Sequence, residues 1–153
     1  MANAYLSLGS NIGKREAFLA KAIEQVQLQC GKVSAKSPIY ETEPWGVENQ
    51  TCYLNMCIAV ETELSPATLL ATIHSIEKEL GRERLVKWAS RTIDIDILFY
   101  DQLVIESPDL TIPHPLLHQR SFVLDPLADI APNLMHPILG KSVLALRDAL
   151  RES

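Results

Sequence analysis

In residues 53–62 large aliphatic side chains recur at every second position, the period of a strand with one face on a core. Leu54, Met56, Ile58 and Val60 fall on one face, leaving Tyr53, Asn55 and Cys57 on the other. Residues 92–100 repeat the pattern, with Ile93, Ile95, Ile97 and Phe99 sharing a side. Between these runs, Ser65 as N-cap and Pro66 in the first turn open a helix. Its Leu69, Ile73, Ile76 and Leu80 recur at helical spacing, and Gly81 closes it. The apolar stripe of the helix and those of the two strands require a common core.

The flanking segments extend this unit. Residues 5–8 read as a short strand ending in the turn cluster Gly9-Ser10-Asn11, and residues 14–29 as a helix. Phe18, Ala22, Ile23 and Val26 form the buried stripe of that helix, with Gly31 as its stop. Residues 33–40 read as the second strand and 42–51 as a loop rich in Pro, Gly and Asn. Further on, 103–105 and 110–112 read as short edge strands broken by Ser107-Pro108. A helix is predicted over 120–127, and Ser142 caps a last one reaching about residue 150. The order is β-α-β-β-α-β with an appended C-terminal part. Strands without a helix between them pair antiparallel, so the expected class is α+β. A ferredoxin-like core is expected, its mainly antiparallel sheet carrying packed helices in a three-layer sandwich. With no repeat, low-complexity tract or linker, residues 1–153 read as one domain.

Charge and cysteine usage narrow the partners. A formal net charge of -5 and a pI near 5.3 argue against a nucleic-acid or anionic membrane surface. They do not exclude an anionic nucleotide met by locally gathered arginines. Cys30, Cys52 and Cys57 have no metal-type spacing and fit reduced thiols. The N-terminus lacks a basic start with a long apolar run, and no stretch approaches the ~20 apolar residues of a membrane span. The cytoplasm is the expected location.

Asp94 and Asp96, in Thr92-Ile93-Asp94-Ile95-Asp96-Ile97, are the sharpest chemical feature. Aspartate is poorly suited to strand interiors, and alternation sends both side chains to one face with Cα atoms ~6.6 Å apart. At an effective dielectric of 20 their repulsion is ~2–3 kcal/mol, and several-fold less in water. A solvated outer face tolerates such a pair without metal. In a cleft, two magnesium ions ~3.5–4 Å apart would relieve it and bridge phosphates. Leu98 and Tyr100 share the aspartate parity, which speaks against a fully wet face.

Arg82, Arg84, Arg91 and Arg120 lie around that strand in sequence. Each alone reads as a surface cation; gathered, their planar forks suit phosphate oxygens. His114 sits between Pro113 and Pro115, positioned for a phosphate or base contact or simply in a turn. His74, His118 and His136 show no zinc spacing with it. The stretch Tyr40-Glu41-Thr42-Glu43-Pro44-Trp45-Gly46, with Tyr53 and Asn55, supplies aromatic area beside an amide. That combination suits a flat heterocycle, with Trp88 and Phe122 as candidates for the opposite wall; a strand face packed under a helix reads equally well. The phosphate loop G-x-x-x-x-G-K-[ST], the protein-kinase catalytic loop and the G-x-S-x-G element are absent.

In order, Leu6-Ser7-Leu8-Gly9-Ser10-Asn11, Tyr40-x-Thr42-x-Pro44-x-Gly46, Tyr53-Leu54-Asn55, Trp88-x-x-Arg91-Thr92-Ile93-Asp94-Ile95-Asp96-Ile97, Pro113-His114-Pro115 and Arg120-x-Phe122 resemble the 6-hydroxymethyl-7,8-dihydropterin pyrophosphokinase family of folate biosynthesis. The resemblance runs through nearly the whole chain. It implies a ferredoxin-like α+β fold and transfer of the β,γ-diphosphoryl unit of ATP to the pterin hydroxymethyl oxygen, giving AMP. It further implies that Asp94 and Asp96 bind two Mg2+ ions and that Arg82 and Arg91 act on the moving diphosphoryl group. ATP, the co-substrate, would meet His74, Glu77, Arg84, Trp88, Ile97, His114 and Arg120. The pterin would meet Thr42, Pro44, Trp45, Tyr53, Asn55 and Phe122. The chain departs from the family pattern at Ala89-Ser90, where Gly-Pro is common, and in a short connection from Arg82 to Trp88. Both bear on loop geometry and rate rather than on reaction type. A monomer without nucleic-acid or membrane partners is expected. Two other readings of the residues remain open: another two-metal phosphoryl-transfer or phosphodiester-cleaving enzyme, and a non-catalytic ferredoxin-like metabolite-binding module.

Overall fold

A computed structural model describes residues 1–10, 15–42, 53–81 and 93–152. Its elements in chain order are β1 (Ala2–Ser10), α1 (Arg15–Gln29), β2 (Gly31–Lys36), β3 (Tyr40–Thr42), β4 (Tyr53–Thr62), α2 (Pro66–Gly81) and β5 (Asp94–Tyr100). There follow β6 (Ile105–Glu106), β7 (Thr111–Ile112), a 3-10 turn (Leu117–Gln119), α3 (Ser121–Ile130) and α4 (Val143–Glu152). The main sheet runs β2-β4-β1-β5, with β3 also on β4, and every pairing is antiparallel. Two split β-α-β units interleave to give this order, the ferredoxin-like arrangement expected from the sequence. β6 and β7 pair separately.

Two apolar clusters cover the two faces of the sheet. On one, Leu6, Leu8, Ile58 and Ile95 meet Leu19, Ala22 and Val26 of α1 and Leu69, Ile73, Ile76 and Leu80 of α2. On the other, Cys57, Leu98 and Phe99 meet Leu124 and Leu127 of α3 and Val143 and Leu146 of α4. Each large side chain removed from water contributes about 1.5–3 kcal/mol, so β4 and β5 are anchored from both sides. The result is three layers: helices, sheet, helices.

The caps follow their residue types. Ser65 Oγ accepts the Thr68 N–H at 3.2 Å, and Ser142 Oγ accepts the Ala145 N–H at 3.1 Å. The first strand is longer than predicted, running from Ala2 through Gly9 and Ser10. The predicted strand over 33–40 is two strands, because Ser37 interrupts the ladder: its Oγ accepts the Cys57 N–H at 2.9 Å and donates to Pro38 O at 2.8 Å. In α1 the buried residues are Leu19, Ala22 and Val26, whereas Phe18 and Ile23 are half-buried. Gly31, read as a helix stop, opens β2 instead. Its φ is 154°, and a Cβ there would lie 2.1 Å from Glu61 O, so only glycine fits. β1 residues Leu6 and Tyr5 pair with Ile97 and Phe99, leaving Leu98 as an extra residue, a β-bulge. The bulge moves Phe99 to the face opposite Ile95 and Ile97 and sends Tyr100 to the isoleucine side. The predicted one-sided run therefore ends at Ile97. No helix among the described residues is long and apolar enough to cross a membrane.

Candidate active site

Strand parity builds the site. Leu6 and Leu8 point into the α1/α2 core, so Ser7 and Gly9 face the other way. Across β1, Gly9 pairs with Asn55 of β4 and Asp94 of β5, while Ser7 pairs with Cys57 and Asp96. Asn55, Gly9 and Asp94 thus form one row on the open face. α3 and α4 cover the other end of that face, leaving a cleft of about 920 Å³ over this row.

Thr42, Tyr53, Asn55 and Phe122 line the cleft together with Asp94, Asp96, His74, Glu77, His114 and Arg120. Asn55 is buried, and its Nδ2 donates to Thr42 Oγ1 at 2.7 Å. That bond uses an amide hydrogen and leaves the Oδ1 acceptor on the Gly9 side. Arg120 stands 5.6 Å over the Phe122 ring, a cation–π contact that steadies both at the start of α3.

Glu77 comes from α2, on the opposite layer, and reaches the cleft around β5 because β5 is an edge strand. Its Oε2 accepts the Ile95 N–H at 2.8 Å, between the two aspartates in sequence. The edge amide is thereby satisfied and the segment carrying Asp94 and Asp96 is held. Asp96 is exposed and Asp94 half-buried.

His114 follows a cis Ile112–Pro113 bond, and its N–H donates to Leu98 O at 3.0 Å. Its Nδ1 accepts the Leu116 N–H at 3.2 Å, so a neutral ring carries its proton on Nε2. Burial holds its pKa below the ordinary histidine value; Asp96 opposes that shift and Arg120 adds to it. The imidazole is therefore a neutral hydrogen-bond donor at neutral pH.

A smaller cleft of about 290 Å³ adjoins the first and shares His74, Asp96 and His114. Ile97 lines it together with Leu70, Leu110 and Thr111. Of the predicted site residues, Arg82, Arg84, Trp88, Arg91, Pro44 and Trp45 lie outside the described residues. The others meet at these two clefts. Sequence reasoning quoted Ser7 and Gly9 of β1 in a motif without giving them a place at the site, and did not single out Gln119 or Ser121. For the first two the signal was available, since the parity of Leu6 and Leu8 sets theirs.

Among the described residues no group of three or more His, Cys, Asp or Glu side chains is arranged around a metal position. The described walls nonetheless carry three carboxylates, Glu77, Asp94 and Asp96, against one guanidinium, Arg120. A bare polyanion is poorly received by such a wall; a divalent cation with its own phosphate ligands is not. Magnesium uses one or two protein carboxylates and completes its shell with phosphate and water, which fits this donor set.

The chain matches the model of the family 7,8-dihydro-6-hydroxymethylpterin-pyrophosphokinase (HPPK) over residues 5–132. It is 46% identical over 143 residues to the 2-amino-4-hydroxy-6-hydroxymethyldihydropteridine pyrophosphokinase of Aquifex aeolicus, covering 92% of this chain and 88% of that protein. It is 44% identical over 139 residues to the folic acid synthesis protein fol1 of Pneumocystis carinii, covering 91% of this chain but 19% of that one. Among solved structures, the HPPK-DHPS of Plasmodium falciparum superposes with a TM-score of 0.81 at 18% identity, covering 97% of this chain and 44% of that chain. The chain thus spans most of the Aquifex relative and less than half of the other two, and the Plasmodium likeness is one of fold.

Proposed function

Because this chain belongs to the 7,8-dihydro-6-hydroxymethylpterin-pyrophosphokinase family, we propose that it transfers the terminal diphosphoryl unit of ATP to 6-hydroxymethyl-7,8-dihydropterin. AMP and the pterin diphosphate are the products, a step of folate biosynthesis. The observation that carries this reading is the cross-strand row of Asn55, Gly9 and Asp94. It sets an amide suited to a heterocycle and a carboxylate suited to a metal-bound phosphate two strands apart on one open face.

In this reading the pterin lies against Tyr53 and Phe122, with Asn55 and Thr42 at its edge; the family resemblance adds Pro44 and Trp45. ATP occupies the side of His74, Glu77, Ile97, His114 and Arg120, to which the family resemblance adds Arg84 and Trp88. Asp94 and Asp96 would hold two magnesium ions. When bound, these would neutralise triphosphate charge and sharpen the electrophilicity of the β-phosphorus. The chain's own residues orient the reactants. Asn55 and the two rings fix the hydroxymethyl oxygen in line, and the neutral His114 and the Arg120 guanidinium donate to phosphate oxygens. Arg82 and Arg91 are assigned, from the family resemblance, to the charge of the moving group. The hydroxymethyl oxygen bonds to the β-phosphorus as the bond from that phosphorus to the oxygen retained by AMP breaks. The hydroxyl proton passes to water or Asp96. The reading includes action as a monomer and a cytoplasmic setting, where ATP is at hand.

The test is AMP release from Mg-ATP with and without the hydroxymethyl pterin. AMP that appears only with both the pterin and magnesium is the expected result. Absence of AMP with the pterin overturns the reading, and AMP formed without an acceptor points to plain hydrolysis of the α,β-phosphoanhydride bond.

A further inference from the structure

Gly9 is the one position in the cross-strand row that has no side chain, and its backbone does not require a glycine. The positive-φ glycines among the described residues are Gly31 and Gly140, so Gly9 has a conformation open to any L residue. Glycine weakens a strand, and one near its end marks a bulge, a bend or a close approach by a ligand or another backbone; Gly9 is paired on both sides, and the register shift of β1 lies at Tyr5/Leu6. Neighbouring backbone does not crowd the site: the nearest backbone atom to an added Cβ is Leu54 O at 3.9 Å. What an added Cβ would meet is Asn55 Oδ1 at 3.1 Å, then Tyr53 Cδ1 at 3.9 Å. Both atoms belong to residues lining the cleft.

The geometry points to Gly9 as a specificity-determining residue, the bare floor on which a flat bicyclic ring lies between Asn55 and Asp94. This rests on the proposed reaction and deepens it. Asn55 and Asp94 are each one strand away from Gly9. Their backbones are therefore about 9.5 Å apart, comparable with the long axis of a fused bicyclic ring plus one exocyclic carbon. An acceptor held at Asn55 and reacting near Asp94 must cross β1, and at Gly9 it crosses bare backbone. A methyl there would rise into the ring's path. It would also press on the Asn55 oxygen, whose position the Thr42 bond sets.

The test compares wild type with Gly9→Ala for turnover, for equilibrium binding of the pterin by its ring fluorescence, and for thermal stability. The expected result is an acceptor KM and Kd raised about ten-fold or more, the cost of one misplaced methyl in a fitted slot. The KM for ATP should stay within about two-fold, and the melting temperature should be equal or higher. An unchanged acceptor KM overturns the role of Gly9. So does loss of folded protein or a parallel rise in both KM values, since glycine would then serve the backbone itself. Wild-type protein inert toward the pterin sinks the reaction and this role together, whereas active wild type with an indifferent Gly9→Ala sinks only this role.

Discussion

The Tyr40 hydroxyl donates a hydrogen bond to the Asp129 carboxylate, fastening β3 to the far end of α3. β3 is three residues long and, among the described residues, pairs with β4 alone. Its last residue, Thr42, holds Asn55, and the opposite end of α3 carries Phe122. One hydroxyl therefore spaces two walls of the candidate heterocycle slot.

Tyr40→Phe should cost about 0.5–1 kcal/mol in stability, a charged-acceptor bond discounted for exposure. It should raise the acceptor KM more than that for ATP. The hydrogen bond to Asp129, then burial and the Asp129 charge, push the phenol pKa up to about 12. The bond's contribution is therefore present below pH 10 and lost as pH rises through about 12. Denaturant melts of the two proteins should differ by a constant amount to pH 10 and converge above it.

Asp96→Asn keeps shape and removes one charge from an exposed position. Magnesium-dependent turnover should fall ~10²-fold or more, while stability moves by less than ~0.5 kcal/mol because the site is exposed. A large drop in melting temperature would instead assign the residue to the fold.

Glu77 offers a test of positioning. Glu77→Gln keeps an oxygen to accept the Ile95 N–H and should retain most of the turnover. Glu77→Ala frees the β5 edge, with an expected loss of ~1–2 kcal/mol and a lower kcat. Equal activity of the two variants would show that the carboxylate, or neither group, matters.

His136 is buried, and its Nδ1 accepts the N–H groups of Ile138 and Leu139 at 3.2 and 3.0 Å. Burial, with His118 adding to it, lowers its pKa. A lowered value favours the neutral ring in the folded state, so its contribution is complete above pH 6.5 and is lost as pH falls through the folded-state pKa. Melting temperature should decline on acidification below pH 6.5. The decline should be shallower in His136→Asn, whose oxygen accepts without titrating.

Much of the fold is legible locally. The alternation of residues 53–62, the stripe of α2 and the serine caps each depend on neighbours a few residues away, and the structure repeats them. Parity alone also puts Asp94 and Asp96 on one face. The break at Ser37, the bulge at Leu98 and the burial of both faces of β4 are not local. Each depends on a partner strand or on α3 and α4, whose approach periodicity does not encode.

The chain's own order of residues determined which side chains share a face wherever the pleat or helix runs unbroken, because pleat and helix pitch are fixed by backbone geometry; past the bulge at Leu98 it did not. Tertiary structure alone decided that Asn55, Gly9 and Asp94, from three strands far apart in sequence, lie in one row. Interstrand register is set by the summed packing of both cores, and no single segment carries that sum.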